Sequence, residues 1–253
     1  PLIVHRATYW DEELPRMPCV FMIMNSGGIL QGDRNTISIE VRESAQAHVT
    51  TQSATKIHEM DANYATQVKD IVLREGAYLE YLPDQVIPHK HMRFVSQTRV
   101  QIDPTATLLY SEILMSGRKY YGDGEQFEYD LFSSFIRAER PDGVELCTEK
   151  LIIAPHQFDV HQAGMMNGYD VLATVYLLTP KVHADRIFEH VPTAVNRDEQ
   201  WAAGASRLPN DAGLTFRVLG MESQPVRAKV REFWALVREE VAGAKLMREF
   251  AWR

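Results

Sequence analysis

The chain has 253 residues, 45% of them hydrophobic, and a formal charge of −7 with a pI near 5.7. An acidic balance of this kind supplies no basic field for a phosphate backbone, which argues against nucleic acid or an anionic membrane surface as a partner. The longest apolar runs, residues 19–24 and 171–178, fall far short of the ~18–20 residues of a membrane-crossing helix.

Other global features place the chain among soluble cytoplasmic proteins. Cys19 and Cys147 are far apart in sequence, which suits a reducing compartment and excludes a cysteine-rich zinc site. The length suits one large core, so a single domain spanning 1–253 is expected. The sequence begins at Pro1, from which a missing upstream piece is expected.

In chain order, the first organising feature is Ser26-Gly27-Gly28-Ile29-Leu30-Gln31-Gly32-Asp33, after the apolar run Val20–Met24. Gly27, Gly28 and Gly32 permit positive φ or close backbone approach, as a crowded turn between strands requires. The motif is no phosphate-binding Walker A loop, because Asp33 stands where that loop carries lysine. A carboxylate there suits a cation instead.

Period-two alternation then dominates the first two thirds, and the segment recurs. Residues 37–52, 69–84 and 98–113 align without gaps, at offsets of 32 and 29 residues. The alignment groups Ile39 with Ile71 and Val100, Val41 with Leu73 and Ile102, Ala47 with Leu79 and Leu108, and Val49 with Tyr81 and Tyr110. Each copy reads as strand, short turn, strand. Units of this size stack because none buries its own apolar face. The expected fold is therefore mostly β, a β-helix-like stacked coil with a few α-helices. A weaker fourth copy is expected over Phe135–Leu151, with Pro141-Asp142-Gly143 as its turn.

The last third changes character. Strands are expected at Tyr169–Leu178 and Leu214–Leu219, and a short helix at Val182–His190. The clearest helix is Pro225–Val241 near the C-terminus, with Ser223 as N-cap and Val226, Val230, Phe233, Trp234, Val237 and Val241 as its apolar stripe. Trp234, Phe250 and Trp252, large apolar groups near a chain end, are candidates for partner binding.

The repeat also locates polar groups. Thr51, Pro83 and Glu112 occupy equivalent strand ends, so stacking gathers Thr55-Lys56, Asp84 and Glu112. Asp33 precedes the first copy, and Glu149 sits in a comparable place in the fourth. Pointing inward, these groups line a cation path of hard oxygen ligands and one lysine; the alternative is a set of solvated strand ends with one buried lysine–carboxylate pair. His89-Lys90-His91 puts two imidazoles on one strand face, a spacing that can chelate nickel, copper or zinc, although the cupin pattern that would complete such a site is absent. Catalytic templates such as G-x-S-x-G, H-E-x-x-H and G-x-G-x-x-G are also missing. Glu112 and Glu149 could serve as the acid–base pair of a hydrolase on a β-helix scaffold, which is the alternative class.

Four motifs in order carry a resemblance: Ser26-Gly27-Gly28-x-x-x-Gly32-Asp33; Thr50-Thr51-Gln52-x-Ala54-Thr55-Lys56; Leu79-Glu80-Tyr81-Leu82-Pro83-Asp84; and Gly117-Arg118 with Gly124-Glu125. Together with the C-terminal Arg231-Glu232-Phe233-Trp234 through Trp252, they resemble the urease accessory protein family UreD, called UreH in some organisms. The resemblance implies a mostly β coil and a non-enzymatic role. It implies binding to UreF, through UreF to the GTPase UreG, and to the urease structural subunits, with Ni2+ in transit and no tightly bound cofactor. Carried over residue by residue, it places the nickel path at Asp33, Thr55, Lys56, Glu112 and Glu149. The His89-Lys90-His91 segment falls where the family varies.

Overall fold

A computed structural model describes residues 2–247. It is mostly β, with 45% strand and 13% helix arranged as a β-solenoid of about three turns. β1 (Leu2–Val4) and β2 (Cys19–Met24) lead into the coil. Each turn runs through a long strand, a corner and a second strand. The first turn holds β3 (Arg34–Val41), β4 (Gln46–Thr51) and the short β5 (Thr55–Ile57); the second holds β6 (Ala65–Leu73), β7 (Tyr78–Tyr81) and the short β8 (Val86–Pro88). The third holds β9 (Arg93–Ile102) and β10 (Thr107–Met115), after which β11 (Gly117–Arg118) and β12 (Glu125–Gln126) pair as a separate ribbon.

The repeat is borne out residue by residue. In the parallel sheet β3-β6-β9, Ile39 lies beside Ile71 and Ile71 beside Val100, while Val41, Leu73 and Ile102 align likewise. In the opposing sheet, Ala47, Leu79 and Leu108 form one row and Val49, Tyr81 and Tyr110 another. Parallel strands need crossover connections, and here the corners of the coil supply them. The corners also stack, with Ser44 N donating to Glu75 O at 2.8 Å and Gly76 N to Thr105 Oγ1 at 2.8 Å.

The expected fourth copy does not coil. β13 (Leu131–Glu139) stacks parallel on β9, but β14 (Glu145–Ile153) folds back antiparallel on β13 in the same sheet. The turn is the cause: Arg140 N donates to Val144 O, Gly143 N to Arg140 O, and Gly143 has φ +88°. A short Pro-Asp-Gly loop closed this way makes a hairpin, not a corner. β15 (Val171–Leu178) then pairs antiparallel with β10. After α1 (Lys181–Phe188), the hairpin β16 (Ala194–Asn196) and β17 (Trp201–Arg207) leads to β18 (Gly213–Gly220), which joins β15 and extends the sheet. The β16–β17 hairpin has no counterpart among the sequence expectations.

α2 (Ser223–Val237) starts two residues before the expected boundary, with Glu222 as N-cap and no side-chain cap bond; Ser223 is its first residue. Its last turn widens to a π-turn over Arg238–Ala242, which ends at Gly243 with φ +62°, a left-handed stop suited to glycine.

The β10 sheet is buried on both faces, so its strands read as nearly continuous apolar runs. Leu108 and Tyr110 point into the solenoid with Leu79, Tyr81 and Ile71. Leu109 points the other way, into a core completed by Val226, Phe233 and Val237 of α2. Burying the five large α2 side chains, Val226, Val230, Phe233, Trp234 and Val237, is worth roughly 8–15 kcal/mol of gross transfer free energy before ordering costs. A buried ion cluster pins the end of this helix. Arg238 donates to Glu80 at 2.7 and 3.1 Å and meets Asp11 at 2.5 Å, and Glu80 also contacts His48 at 2.8 Å.

Candidate functional site

Inside the solenoid, apolar alternation is broken by charge. Lys69 occupies a register position held by Ile37 in the turn below and Thr98 in the turn above, so its side chain points inward and is almost fully buried. It donates to Ser96 Oγ at 3.0 Å and to Glu112 Oε1 at 3.1 Å. Glu112 extends from β10 on the inward side of its strand, like Tyr110. It accepts from Tyr110 OH at 2.7 Å and, through its other oxygen, from Ser134 Oγ at 2.6 Å. Burial disfavours the charged carboxyl, but Lys69 and these hydroxyl donors outweigh it and hold Glu112 below its ordinary range. Burial pushes the neighbouring Tyr110 hydroxyl well up, so it remains a donor.

Three cavities share wall residues along this line. The inner one, about 50 Å³, is lined by Thr51, Thr55, Lys69, Asp84, Ser96 and Glu112. A second, about 190 Å³, has Glu112 in its wall too, with Ser134, Glu149, Thr174, Met165 and Arg217. The third, about 250 Å³, lies against α2; it shares Pro83, Asp84 and Ile113 with the inner cavity and adds Arg227 and Trp234. Glu112 and Asp84 thus each belong to the walls of two cavities. In the second cavity Glu149 is paired with Arg217.

The other expected site residues are distributed as follows. Thr55, Glu112 and Glu149 line this system, Glu149 by the β13–β14 hairpin and not by a fourth coil turn. Asp33 and Lys56 line none of the three cavities. Asp33 closes its own turn, accepting from Leu30 N at 2.9 Å, and Lys56 is an exposed side chain on β5. In the glycine turn Gly27 and Gly32 have φ of +74° and +83°, and a Cβ on Gly28 would lie 2.6 Å from Lys56 O. That approach lets Ile29 pair with Ile57.

The imidazoles of His89 and His91 do not share a strand face. β8 ends at Pro88, and Lys90-His91 form a turn in which His91 has φ +54°. His89 is buried edge-on to His58 at 4.8 Å, and burial, aided by the Arg118 charge, pushes its value down to about 4. His91 faces Asp130 instead. Trp234 is only 4% exposed and stacks on His48 at 5.2 Å, so it belongs to the core under α2. Phe250 and Trp252 lie outside the described residues.

Lys69, Ser134 and Arg217 were not expected as site residues. For Lys69 the signal was present, a charge at a position whose repeat partners are Ile37 and Thr98. Ser134 and Arg217 come from β13 and β18, outside the repeat, and nothing in their local sequence marks them.

Among the described residues, no helix is long and apolar enough to cross a membrane. A family model described as UreD urease accessory protein matches residues 1–253. Over 252 residues the chain is 58% identical to the urease accessory protein UreD 2 of Brucella suis biovar 1, spanning 100% of this chain and 83% of that protein. It is also 49% identical over 253 residues to the urease accessory protein UreD of Yersinia pseudotuberculosis serotype O:1b, spanning 100% and 79% of the two chains.

Proposed function

The chain belongs to the UreD family of urease accessory proteins, and from that premise we propose that it is a cytoplasmic, non-enzymatic scaffold that passes Ni2+ to the urease apoprotein through the polar interior of its solenoid. It binds UreF, reaches the GTPase UreG through UreF, and docks on the urease structural subunits. Nickel is cargo, and no cofactor is retained.

The observation that carries this reading is the position of Glu112, a charged carboxylate in the walls of two cavities whose other polar groups are hydroxyls, the carboxylates of Asp84 and Glu149, the Gln67 amide, Lys69, and an Arg217 that is paired with Glu149. A conduit must attract a divalent ion and then release it. Scattered oxygen ligands do this better than a closed set of imidazoles and thiolates, which holds a late transition metal tightly. Lys69 serves the same end: paired with Glu112 at 3.1 Å, it cancels the charge that would otherwise trap the ion. Asp84 leads in from the α2 side, and Glu149 with Arg217 forms the opposite end.

The hydrolase alternative finds less support. A glycosidase-type general acid needs a carboxyl held protonated near neutrality, whereas Glu112 is held ionised.

Co-expression with the urease operon tests the proposal. Glu112→Gln keeps the shape and removes the charge, and Glu112→Leu removes the oxygen ligands as well. Both variants are expected to assemble with UreF and urease while lowering nickel per urease active site, more so for leucine. Glu40→Leu, which disturbs only an exposed pair with Arg74, serves as the control. Full nickel loading in an assembled Glu112→Leu complex would remove the interior from the ion's route.

A further inference from the structure

A second group of ligands lies outside the solenoid. The sheet order places β9, β13 and β14 side by side, so the residues just before β9, just before β13 and just after β14 emerge at one end of the sheet. Those residues are His91, Asp130 and His156. Their nearest ligand atoms all lie within 4.8 Å of one another. His91 Nδ1 is 3.3 Å and His156 Nε2 3.7 Å from the same carboxylate oxygen, Asp130 Oδ1.

We propose that His91, Asp130 and His156 form a surface binding site for a late first-row divalent metal ion of the nickel, copper and zinc group. The carboxylate is divided in a way that suits this use. Arg93 occupies Oδ2 from Nε at 2.8 Å and Nη2 at 2.7 Å, leaving Oδ1 turned toward the two imidazoles. Metal bonds to imidazole nitrogen and carboxylate oxygen are about 2.0–2.2 Å long, so ligand atoms around one ion sit roughly 3–3.5 Å apart. The observed 3.3 and 3.7 Å separations from Asp130 Oδ1 are near that, and the two imidazoles, whose ligand atoms lie within 4.8 Å of one another, close on an ion by rotation of exposed side chains.

The backbone holds the cluster in place. His91 is fixed in its left-handed turn by donation from its N–H to Glu128 O at 3.0 Å, and His156 Nε2 lies 3.3 Å from the same carbonyl. A carbonyl that accepts from His156 Nε2 competes with metal for that nitrogen, so binding requires the proton on His156 Nδ1. Two imidazoles with one carboxylate favour the later transition metals over magnesium or calcium, which seek oxygen. Both imidazoles are about half exposed, so water completes the coordination and the ion exchanges readily. Asp130 is counterbalanced by Arg93, which also limits affinity.

The site does not depend on the interior passage, and the experiment separates the two. The untagged full-length chain is titrated with nickel(II) chloride by calorimetry at pH 7.5, and loaded with copper(II) to count nitrogen ligands by electron paramagnetic resonance. Wild type is expected to show a site with two nitrogen ligands. His91→Ala and His156→Ala should each weaken nickel binding there by about tenfold or more, given that even outer-sphere changes act on the 10–100-fold scale. Glu40→Leu, which disturbs only an exposed pair with Arg74, should leave it unchanged. Because both imidazoles are exposed, an unchanged melting temperature in the metal-free variants verifies folding. Equal nickel affinity and stoichiometry in a folded His91→Ala/His156→Ala double variant, or no nickel binding by wild type, would overturn the assignment.

Discussion

Arg238→Met removes the cation at the centre of the buried cluster that fastens α2 to the β10 sheet. Arg238 and Glu80 are both fully buried, joined by contacts of 2.7 and 3.1 Å, and Asp11 meets the same guanidinium at 2.5 Å. Taking one partner from a buried ion pair costs about 3–5 kcal/mol, because the remaining charge stays out of water. Burial opposes ionisation of Glu80, yet bonds from His48 and Arg238 together hold it down at about 2 from an ordinary 4.5, which corresponds to roughly 3 kcal/mol of stability shared between those two partners. At the ~2–4 °C per kcal/mol of a chain this size, a 3 kcal/mol loss lowers the melting temperature by about 6–12 °C. The sign with pH also follows: Glu80's contribution is complete above its unfolded value and disappears as pH falls through its folded one. Wild type should therefore lose stability from pH 4.5 downward, and Arg238→Met, with less to lose, should do so less steeply. Glu80→Gln/Arg238→Met removes both charges of the pair and should recover part of the loss. Urea and thermal unfolding from pH 7 to pH 3 measure all of this. A single variant that melts within 2 °C of wild type with the same acid dependence would refute the reasoning.

Gly213→Ala should fail to accumulate as soluble protein, since a Cβ there would sit 1.9 Å from Leu177 O at φ +137°. Gly27→Ala, with φ +74° and no atom in the way, should cost only about 1–2 kcal/mol by chemical unfolding. His89 should remain neutral by NMR titration at pH 5, because its folded value is about 4. An unfolded chain takes that proton near pH 6.5, so His89 makes stability fall with acidification over the window between the two values, and His89→Gln should flatten that part of the curve.

The coil was legible in the sequence because its register is written three times. Ile39, Ile71 and Val100 recur at the same phase, and a one-residue slip would turn every side chain to the wrong face. The fourth copy misled because Phe135–Leu151 repeats the apolar alternation while its turn, Pro141-Asp142-Gly143, has hairpin chemistry. Alternation reports which face is buried and says nothing about which sheet a strand joins. For the candidate site, stacking brings Thr55 and Glu112 into the lining of one cavity, whereas Lys56, their neighbour in sequence, is exposed and the inward lysine is Lys69. Lys69 could have been found by asking which repeat position carries a charge where the other copies do not. Glu149 joins Glu112 in the lining of the second cavity by way of the antiparallel hairpin and the Arg217 strand, a long-range arrangement that no local pattern encodes. The separation of His89 from His91 depends on one left-handed residue, and the gathering of His91, Asp130 and His156 on the order of three strands.

The central claim is that nickel travels inside the protein. The direct measurement is transfer of 63Ni from the nickel-loaded UreG complex, through this chain and UreF, into urease apoprotein, with an impermeant chelator in excess in the surrounding buffer. An interior route shields the ion, so wild type should deliver nickel at nearly the rate seen without chelator, whereas Glu112→Leu should deliver little in either condition. Interception of the nickel by the chelator in the wild-type complex, with Glu112→Leu no different from wild type, would mean that the ion crosses through solvent and would contradict the account.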